Sequence, residues 1–483
     1  LARETAAAGD PLDSRDLTTL RGRAAMIHAQ VAHILHADLA QATVFTHQAL
    51  AQLPPDDLEW RAMTLTNQGT AAYFGDDLAG ALESYAAAGA LAQQAGFSLV
   101  AFLVQGRAGS VLHDLGRLQA AQALCTEARQ GGAGARSGDL PGLGQIAWVE
   151  GLLRYEADDL AGAAQLLAEA ITRGTQEQQV YVQGFAHLIG SQVRLAQGDT
   201  AGALQALAAA TTHLAPAPDG APILQRALAA WQALVLLAHA GPAGGPTGDL
   251  QAAARRGSGA GGPESPEPPL PLAHWIFHAW HLLPAHVLLA HGDPRGAHAY
   301  LEPLGARAEA AGAVSLLLRA LALDALALDA LERPAAARAT LLRALTLGAA
   351  GYVRAILEAG PAIRPLLHAL VLDLTRTAAT YPDLLAYAYR LYAAAGGDSP
   401  PPPTPPPAGG GAPPPAPHDA ILTDRELAIL RLLGAGCSNQ EIADQLIIGV
   451  STVKWYLRTI YDKLESGNRT QAVARARARG LIR

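Results

Sequence analysis

Residues 77–81 read Asp77-Leu78-Ala79-Gly80-Ala81, and the phrase returns unchanged as Asp159-Leu160-Ala161-Gly162-Ala163. Variants begin at Asp38, Arg117, Asp199, Asp293 and Arg333, each reaching alanine four residues on. The starting points lie 39, 40, 42, 40, 94 and 40 residues apart. A period near 40 in a chain of helical composition marks an α-solenoid, in which each helical hairpin buries its apolar face against the next. The phrase, built on a small or acidic turn residue, reads as the tight turn inside each hairpin. The long step contains 241–271, dense in Gly, Pro and Ser, which cannot hold a helix and reads as an insertion. Helical apolar spacing from Ile223 to His239 points to a degenerate repeat beside it.

Composition agrees. Half of the 483 residues are apolar and only 5 % aromatic, with alanine and leucine dominant and runs of strand character rare, so an all-α protein is expected. Two cysteines, Cys125 and Cys437, cannot build a disulfide framework, and Cys437 reads as a small hydrophobe near a helix start. No charged-then-apolar leader and no run of 18 apolar residues occurs, which points to the cytoplasm and away from a membrane.

Net charge is divided. From Ala420 onward ten Lys/Arg face six Asp/Glu, or +4, so the preceding chain carries 25 against 36, or −11. An acidic body with a basic tail suggests that only the tail meets nucleic acid. The two are separated by eleven prolines between Ser399 and Pro417 and by Gly409, Gly410 and Gly411. Such a stretch reads as a linker, with polyproline spacers and a flexible joint. The expected organisation is a helical-repeat body over 1–398, a linker over 399–419 and a DNA-binding domain over 420–483.

The tail carries helix-start signals. Thr423 with Glu426 and Ser438 with Glu441 are capping boxes, and Asn468 with Gln471 is an asparagine version. They set helices over 424–433, 439–446, 450–464 and 469–479. The four residues Ile447 to Val450, the last of which opens the third helix, link it to the second, the length of turn found in a helix-turn-helix. In the third helix Val453, Leu457, Ile460 and Leu464 fall on one stripe and must be core. Ser451, Trp455 and Arg458 fall opposite, flanked by Thr452, Lys454 and Thr459, a face able to bind phosphates and base edges or simply to be solvated. Trp455 argues against mere solvation, since a large exposed aromatic is costly unless covered.

The segments 422–427 (LTDREL), 438–443 (SNQEIA), 452–454 (TVK) and 469–473 (RTQAV) together resemble the LuxR-type DNA-binding domain. The resemblance implies that Lys454, Trp455 and Arg458 occupy major-groove positions, that Thr452 touches phosphate, and that the fourth helix is a dimer contact. Asn439 and Arg469, at the starts of the second and fourth helices, complete the expected DNA-contacting set. Gly449 stands where the family has a capping serine, Tyr456 where histidine is common, and Glu465 and Ser466 replace a glycine and an apolar residue. The body, with 351–367 (GYVRAILEAGPAIRPLL), resembles the MalT-like large ATP-binding regulators over roughly 21–394, with TPR-like repeats that serve as a sensor. The implied partners are double-stranded DNA, RNA polymerase and an inducer or protein at the repeats.

That family's NTPase domain has no counterpart here. A Walker A loop needs lysine after glycine, and the only lysines, Lys454 and Lys463, lie in the tail without one. No ATP site of that kind and no cofactor is expected, and a start at Leu1 suggests a fragment of a longer regulator or the loss of its N-terminal part. His274, His278 and His281 stand at i, i+4 and i+7, a spacing that could face a metal but lacks accompanying carboxylates. A repeat helix lining the inner surface, or a sensor pocket with Trp275 and Trp280, explains them better. Asp76/Asp77 and Asp158/Asp159 read as turn residues, and no catalytic motif occurs, so catalysis is not expected. The alternative to a transcription regulator is a repeat scaffold whose tail has lost DNA binding.

Overall fold

The computed structural model describes residues 14–36, 39–131, 141–215, 222–240, 271–348, 351–376, 382–397 and 424–446. In the last stretch it describes 453, 457, 460–461, 464, 466, 469–478 and 481. Among the described residues there is no strand. Hairpins form from α1 (Ser14–His36) and α2 (Leu39–Gln52), α3 (Leu58–Phe74) and α4 (Leu78–Gln94), and α5 (Ser98–Asp114) and α6 (Leu118–Gly131). Next come α7 (Leu143–Glu156) with α8 (Leu160–Gln176) and α9 (Val180–Ala196) with α10 (Thr200–Leu214). After α11 (Pro222–Ala240), α12 (His278–Ala290) pairs with α13 (Pro294–Ala310) and α14 (Val314–Ala330) with α15 (Pro334–Gly348). The body ends with the short α16 (Arg354–Leu357), α17 (Ile363–Arg376) and α18 (Pro382–Ala394). Among the described residues no helix is long and apolar enough to cross a membrane.

The recurring phrase does what its position requires. Each copy starts the second helix of a hairpin, and Asp77, Asp159, Asp199 and Asp293 are N-caps whose carboxylates accept the N–H of Gly80, Gly162, Gly202 and Gly296, all at 2.9 Å. The residue before the phrase turns the chain with positive φ: 61° at Asp76, 78° at Gly116 and 66° at Asp158. The closing alanines Ala81, Ala121, Ala163, Ala203, Ala297 and Ala337 are all fully buried, where a larger side chain would hold the helices apart. Glycine at the third helical position is not incidental, because a Cβ on Gly80 would lie 2.2 Å from Asp77 Oδ2. Where arginine replaces the aspartate, at 117 and 333, alanine stands in the glycine's place. Asp77→Ala should therefore cost about 1 kcal/mol. Gly80→Ala should gain nothing, its helix propensity of about 0.8–1 kcal/mol being cancelled by loss of the cap, and the double variant should be no worse than wild type. Thermal unfolding of the three variants checks this; strict additivity would overturn it.

Second helices are amphipathic, burying stripes such as Ala163, Leu167, Ala170 and Gly174 on α8. Two first helices are enclosed: residues 143–153 of α7 and 315–323 of α14 are buried without a break. Enclosure makes the polar members of these helices conspicuous. His113 and Asp114 end α5, Glu156 ends α7, Arg319 lies in α14, and all four are buried. His113 joins Asp114 Oδ1 (2.9 Å) to Glu156 Oε1 (3.1 Å), and Arg319 Nη2 donates to Glu156 Oε1 at 2.5 Å. Arg319 Nε donates to Glu358 Oε2 at 2.7 Å, so the network links hairpins about 160 residues apart in sequence.

Burial alone would lower the His113 imidazole, but hydrogen bonds and charge from Asp114 and Glu156 outweigh it and raise it from 6.5 to about 9. A folded value above the unfolded one means that the stability it contributes is fully present below pH 6.5 and lost as pH rises through about 9. The melting temperature of the wild type should approach that of His113→Gln over this interval. His278, pushed well down by burial and by Arg319 and His113, gives the opposite slope on the acid side, so the difference between the two proteins isolates His113. A constant difference from pH 6.5 to 9 would refute the assignment.

The three histidines do not share a helix face. A 3-10 turn, Trp275–Phe277, precedes α12, and His274 caps it, accepting from Ile276 N at 3.4 Å. Helix geometry at i, i+4 and i+7 thus begins too late to include His274. Its ring stacks on Tyr73 with centroids 4.3 Å apart, while His281 Nε2 meets Pro271 O at 2.9 Å. Among the described residues no three His, Cys, Asp or Glu side chains gather as metal ligands. The Cys125 thiol is buried on α6 and pushed up to about 12 by burial, then by Glu150.

Candidate nucleic-acid interface

The tail has its own core. Helices α19 (Asp424–Gly434), α20 (Asn439–Leu446) and α21 (Arg469–Ala478) bring together Ile429, Leu430, Leu433, Ile442, Ala472 and Ala476. Val453, Leu457, Ile460 and Leu464, between α20 and α21 in sequence, complete that core, the stripe that helical periodicity assigns inward. Helix boundaries for the first, second and fourth helices agree with the sequence reading to within one residue.

Local chemistry fixes the entry to α20. Ser438 N donates to Glu441 Oε2 at 2.7 Å while Glu441 N donates to Ser438 Oγ at 3.2 Å, a reciprocal capping box. These bonds from Ser438 hold the Glu441 carboxyl below its ordinary value. Before it, α19 closes with Gly436 at φ 93°, where Gly436 N donates to Leu433 O and Cys437 N to Leu432 O. Cys437 packs at the edge of the core. The other two capping boxes, at Thr423 and Asn468, and the turn 447–450 lie outside the described residues.

Of the eight expected DNA contacts, Asn439 is the first residue of α20 and half-buried, and Arg469 the first of α21. The Arg469 guanidinium donates to Leu433 O at 3.2 Å and Cys437 O at 2.8 Å, so it ties α21 to the end of α19. Arg475 likewise donates to Leu464 O at 2.8 Å. Sequence reading missed both roles, because a basic residue in a basic tail gives no sign of an internal carbonyl partner. Ser451, Thr452, Lys454, Trp455, Arg458 and Thr459 lie outside the described residues, as do Gly449, Tyr456 and Glu465. Ser466, which replaces an apolar family residue, is buried and donates its N–H to Tyr461 O at 2.7 Å, closing the chain after Leu464.

The family described as the MalT-like TPR region matches residues 22–373, well over half of the chain. The chain belongs to the MalT-like TPR family. In this MalT-like chain a second family, the bacterial regulatory proteins of the luxR family, matches 420–476, so the tail is a LuxR-type helix-turn-helix domain. Over the tail the chain is similar to the HTH-type transcriptional regulator AlkS of Ectopseudomonas oleovorans, 42 % identical over 64 residues, which are 13 % of this chain and 7 % of that protein. It is also similar to the transcriptional regulatory protein LiaR of Bacillus subtilis, 42 % over 66 residues, 14 % of this chain and 31 % of LiaR. The response regulator VraR of Staphylococcus aureus is 48 % identical over 62 residues, 13 % of this chain and 30 % of VraR. The matched stretch thus spans a small part of each relative's length.

Proposed function

We propose that this MalT-like chain is a DNA-binding transcriptional regulator whose tail reads duplex DNA and whose repeats receive an inducer or a protein partner. The observation that carries this reading is the tail core. It uses Val453, Leu457, Ile460 and Leu464 on one helical stripe. Helical periodicity leaves Ser451, Thr452, Lys454, Trp455, Arg458 and Thr459 for phosphates and base edges. Asn439, beside the capping box, joins them, and Arg469 acts by holding the fourth helix in place. A dimer on DNA, through that fourth helix, and contact with RNA polymerase belong to the same proposal, as does a cytoplasmic location. Fluorescence anisotropy of the full chain against duplex DNA, compared with the Lys454→Ala/Arg458→Ala variant, tests it. Equal weak binding by both at low salt would favour the repeat scaffold instead.

The same reading divides the chain into a repeat body over 1–398, a linker over 399–419 and a tail over 420–483. It rests on separate apolar clusters: one running from Ala62 to Leu391, with a small satellite of Ala25, Met26, Ala49 and Leu53 that Met63 joins to it, and one from Ile429 to Ala476. Limited proteolysis should cut first among the prolines of 399–417 and release a tail that still binds DNA. Protection of this stretch, with body and tail melting as one unit, would mean that the tail is docked on the body.

A further inference from the structure

Two rows of carboxylates lie at repeat-equivalent positions. Three residues before the phrase stand Asp114 and Glu156, where later copies have Ala196, Ala290 and Ala330. Immediately before it stand Asp76 and Asp158, where two later copies have Gly198 and Gly292. A carboxylate at the end of a helix is disfavoured by the negative end of the helix dipole, so these acids need donors from elsewhere. Some of these donors are backbone amides of chain segments outside the hairpins. Asp76 accepts from Leu272 N (3.1 Å) and Ala273 N (2.9 Å), and Asp114 from Trp275 N (3.2 Å).

The second segment, 351–358, is the more telling. It is bounded by Gly351 (φ 124°) and Gly360 (φ 99°), conformations that L side chains rarely adopt. Between them, Val353 N donates to Glu156 O at 2.7 Å and Ala355 N to Glu156 Oε2 at 3.2 Å. Arg354 reaches Asp158 Oδ1 at 3.2 Å with its guanidinium carbon 5.7 Å from the Tyr155 ring centroid. Glu358 accepts from Tyr155 Oη at 2.7 Å and from Arg319. The fit is incomplete: Arg354 Nε is buried with no hydrogen-bond partner. A buried ion pair is weak evidence for stability, since apolar residues of similar volume often do as well. The strap buries Tyr352, Val353, Ala355 and Ile356 in the body's core, so its ion pairs and hydrogen bonds come in addition to apolar packing that would already hold it.

We propose that the end of α7, with Tyr155, Glu156 and Asp158, forms a socket for an arginine-bearing polypeptide segment, filled in cis by residues 351–358. The partner it fits carries an arginine four residues before a glutamate, as Arg354 and Glu358 do, and competes with the strap for Asp158, Tyr155 and Arg319. This site is built from residues of the repeat body, and the proposal does not rest on the DNA-binding reading of the tail.

The test uses the full chain and a labelled synthetic peptide of residues 351–360. In the Arg354→Ala/Glu358→Gln variant, hydrogen exchange of the amides at 353 and 355 should rise at least tenfold, with those at 272 and 273 unchanged. The peptide should bind this variant at least tenfold more tightly than wild type, and adding Asp158→Asn should abolish the gain. Equal peptide binding by wild type and variant, or a gain that survives Asp158→Asn, would overturn the proposal. So would strap amides that stay protected, or exchange that rises across the whole body together. Glu358→Gln alone, which keeps Arg354 in place, is the second variant should the double one unfold. It should raise exchange at 353 and 355 in the same local pattern, and failure to do so counts equally against the socket.

Discussion

Arg319→Met should destabilise the repeat body by about 3–5 kcal/mol, the cost of removing one partner from a buried charge pair. Glu156 is fully buried, and although burial by itself raises its carboxyl, the charge of Arg319, followed by His113, holds it low. Without the guanidinium the folded-state carboxyl moves up while the unfolded one stays at its ordinary value. A depressed carboxyl contributes stability that is fully present above its unfolded value of 4.5 and lost as pH falls through its folded value of about 2, so the share of the loss that comes from Glu156 should shrink over that interval. Urea unfolding of wild type and variant at pH 7 measures the loss, and repeating it below pH 4.5 measures the convergence. Arg376, whose side chain is 78 % exposed and pairs with Asp373 at 3.2 Å, supplies the control, and Arg376→Ala should change little. A loss at Arg319 no larger than at Arg376 would mean that the interior network is not a linked set of buried charges.

Arg458→Ala in the tail should cost about 1–3 kcal/mol on the preferred DNA site and relax the preference at one base position, if Arg458 meets a guanine edge. Lys454→Ala should act differently. Each phosphate charge neutralised contributes about −0.9 to the slope of log K against log salt, so losing a backbone contact flattens that slope by about one. Thr452→Ala should weaken all sequences alike. Anisotropy titrations of the full chain at two salt concentrations separate these signatures. An unchanged salt slope in Lys454→Ala would remove that residue from the interface.

The repeat architecture was legible because it is written in local rules. In four copies an aspartate that caps a helix sits three residues before a glycine whose N–H it accepts, and the small closing alanine lets helices approach. Each constraint acts within five residues, so it leaves a visible phrase every 40 or so. The tail was legible for the same reason: the Ser438/Glu441 box and the stripe of Val453, Leu457, Ile460 and Leu464 are short-range patterns. Even the departure at Ser466 is absorbed locally, by a backbone bond to Tyr461.

What escaped the sequence depends on pairing across long separations. Nothing near Arg319 indicates that its partners are Glu156 and Glu358, and nothing near Arg469 indicates the carbonyls of Leu433 and Cys437. His274, His278 and His281 looked like one face because periodicity assumes a continuous helix, whereas the bond from Ile276 N to the His274 ring and the 3-10 turn end that assumption. By itself the sequence determined the hairpins, their period and the helix-turn-helix, because capping, glycine geometry and apolar spacing act between near neighbours. Only the tertiary structure decided that Asp114, ending α5, meets Trp275 N and that Glu156, ending α7, meets Ala355 N and Arg319, because a buried carboxylate must find donors wherever the fold brings them, and that choice is made by packing at distances no local pattern encodes.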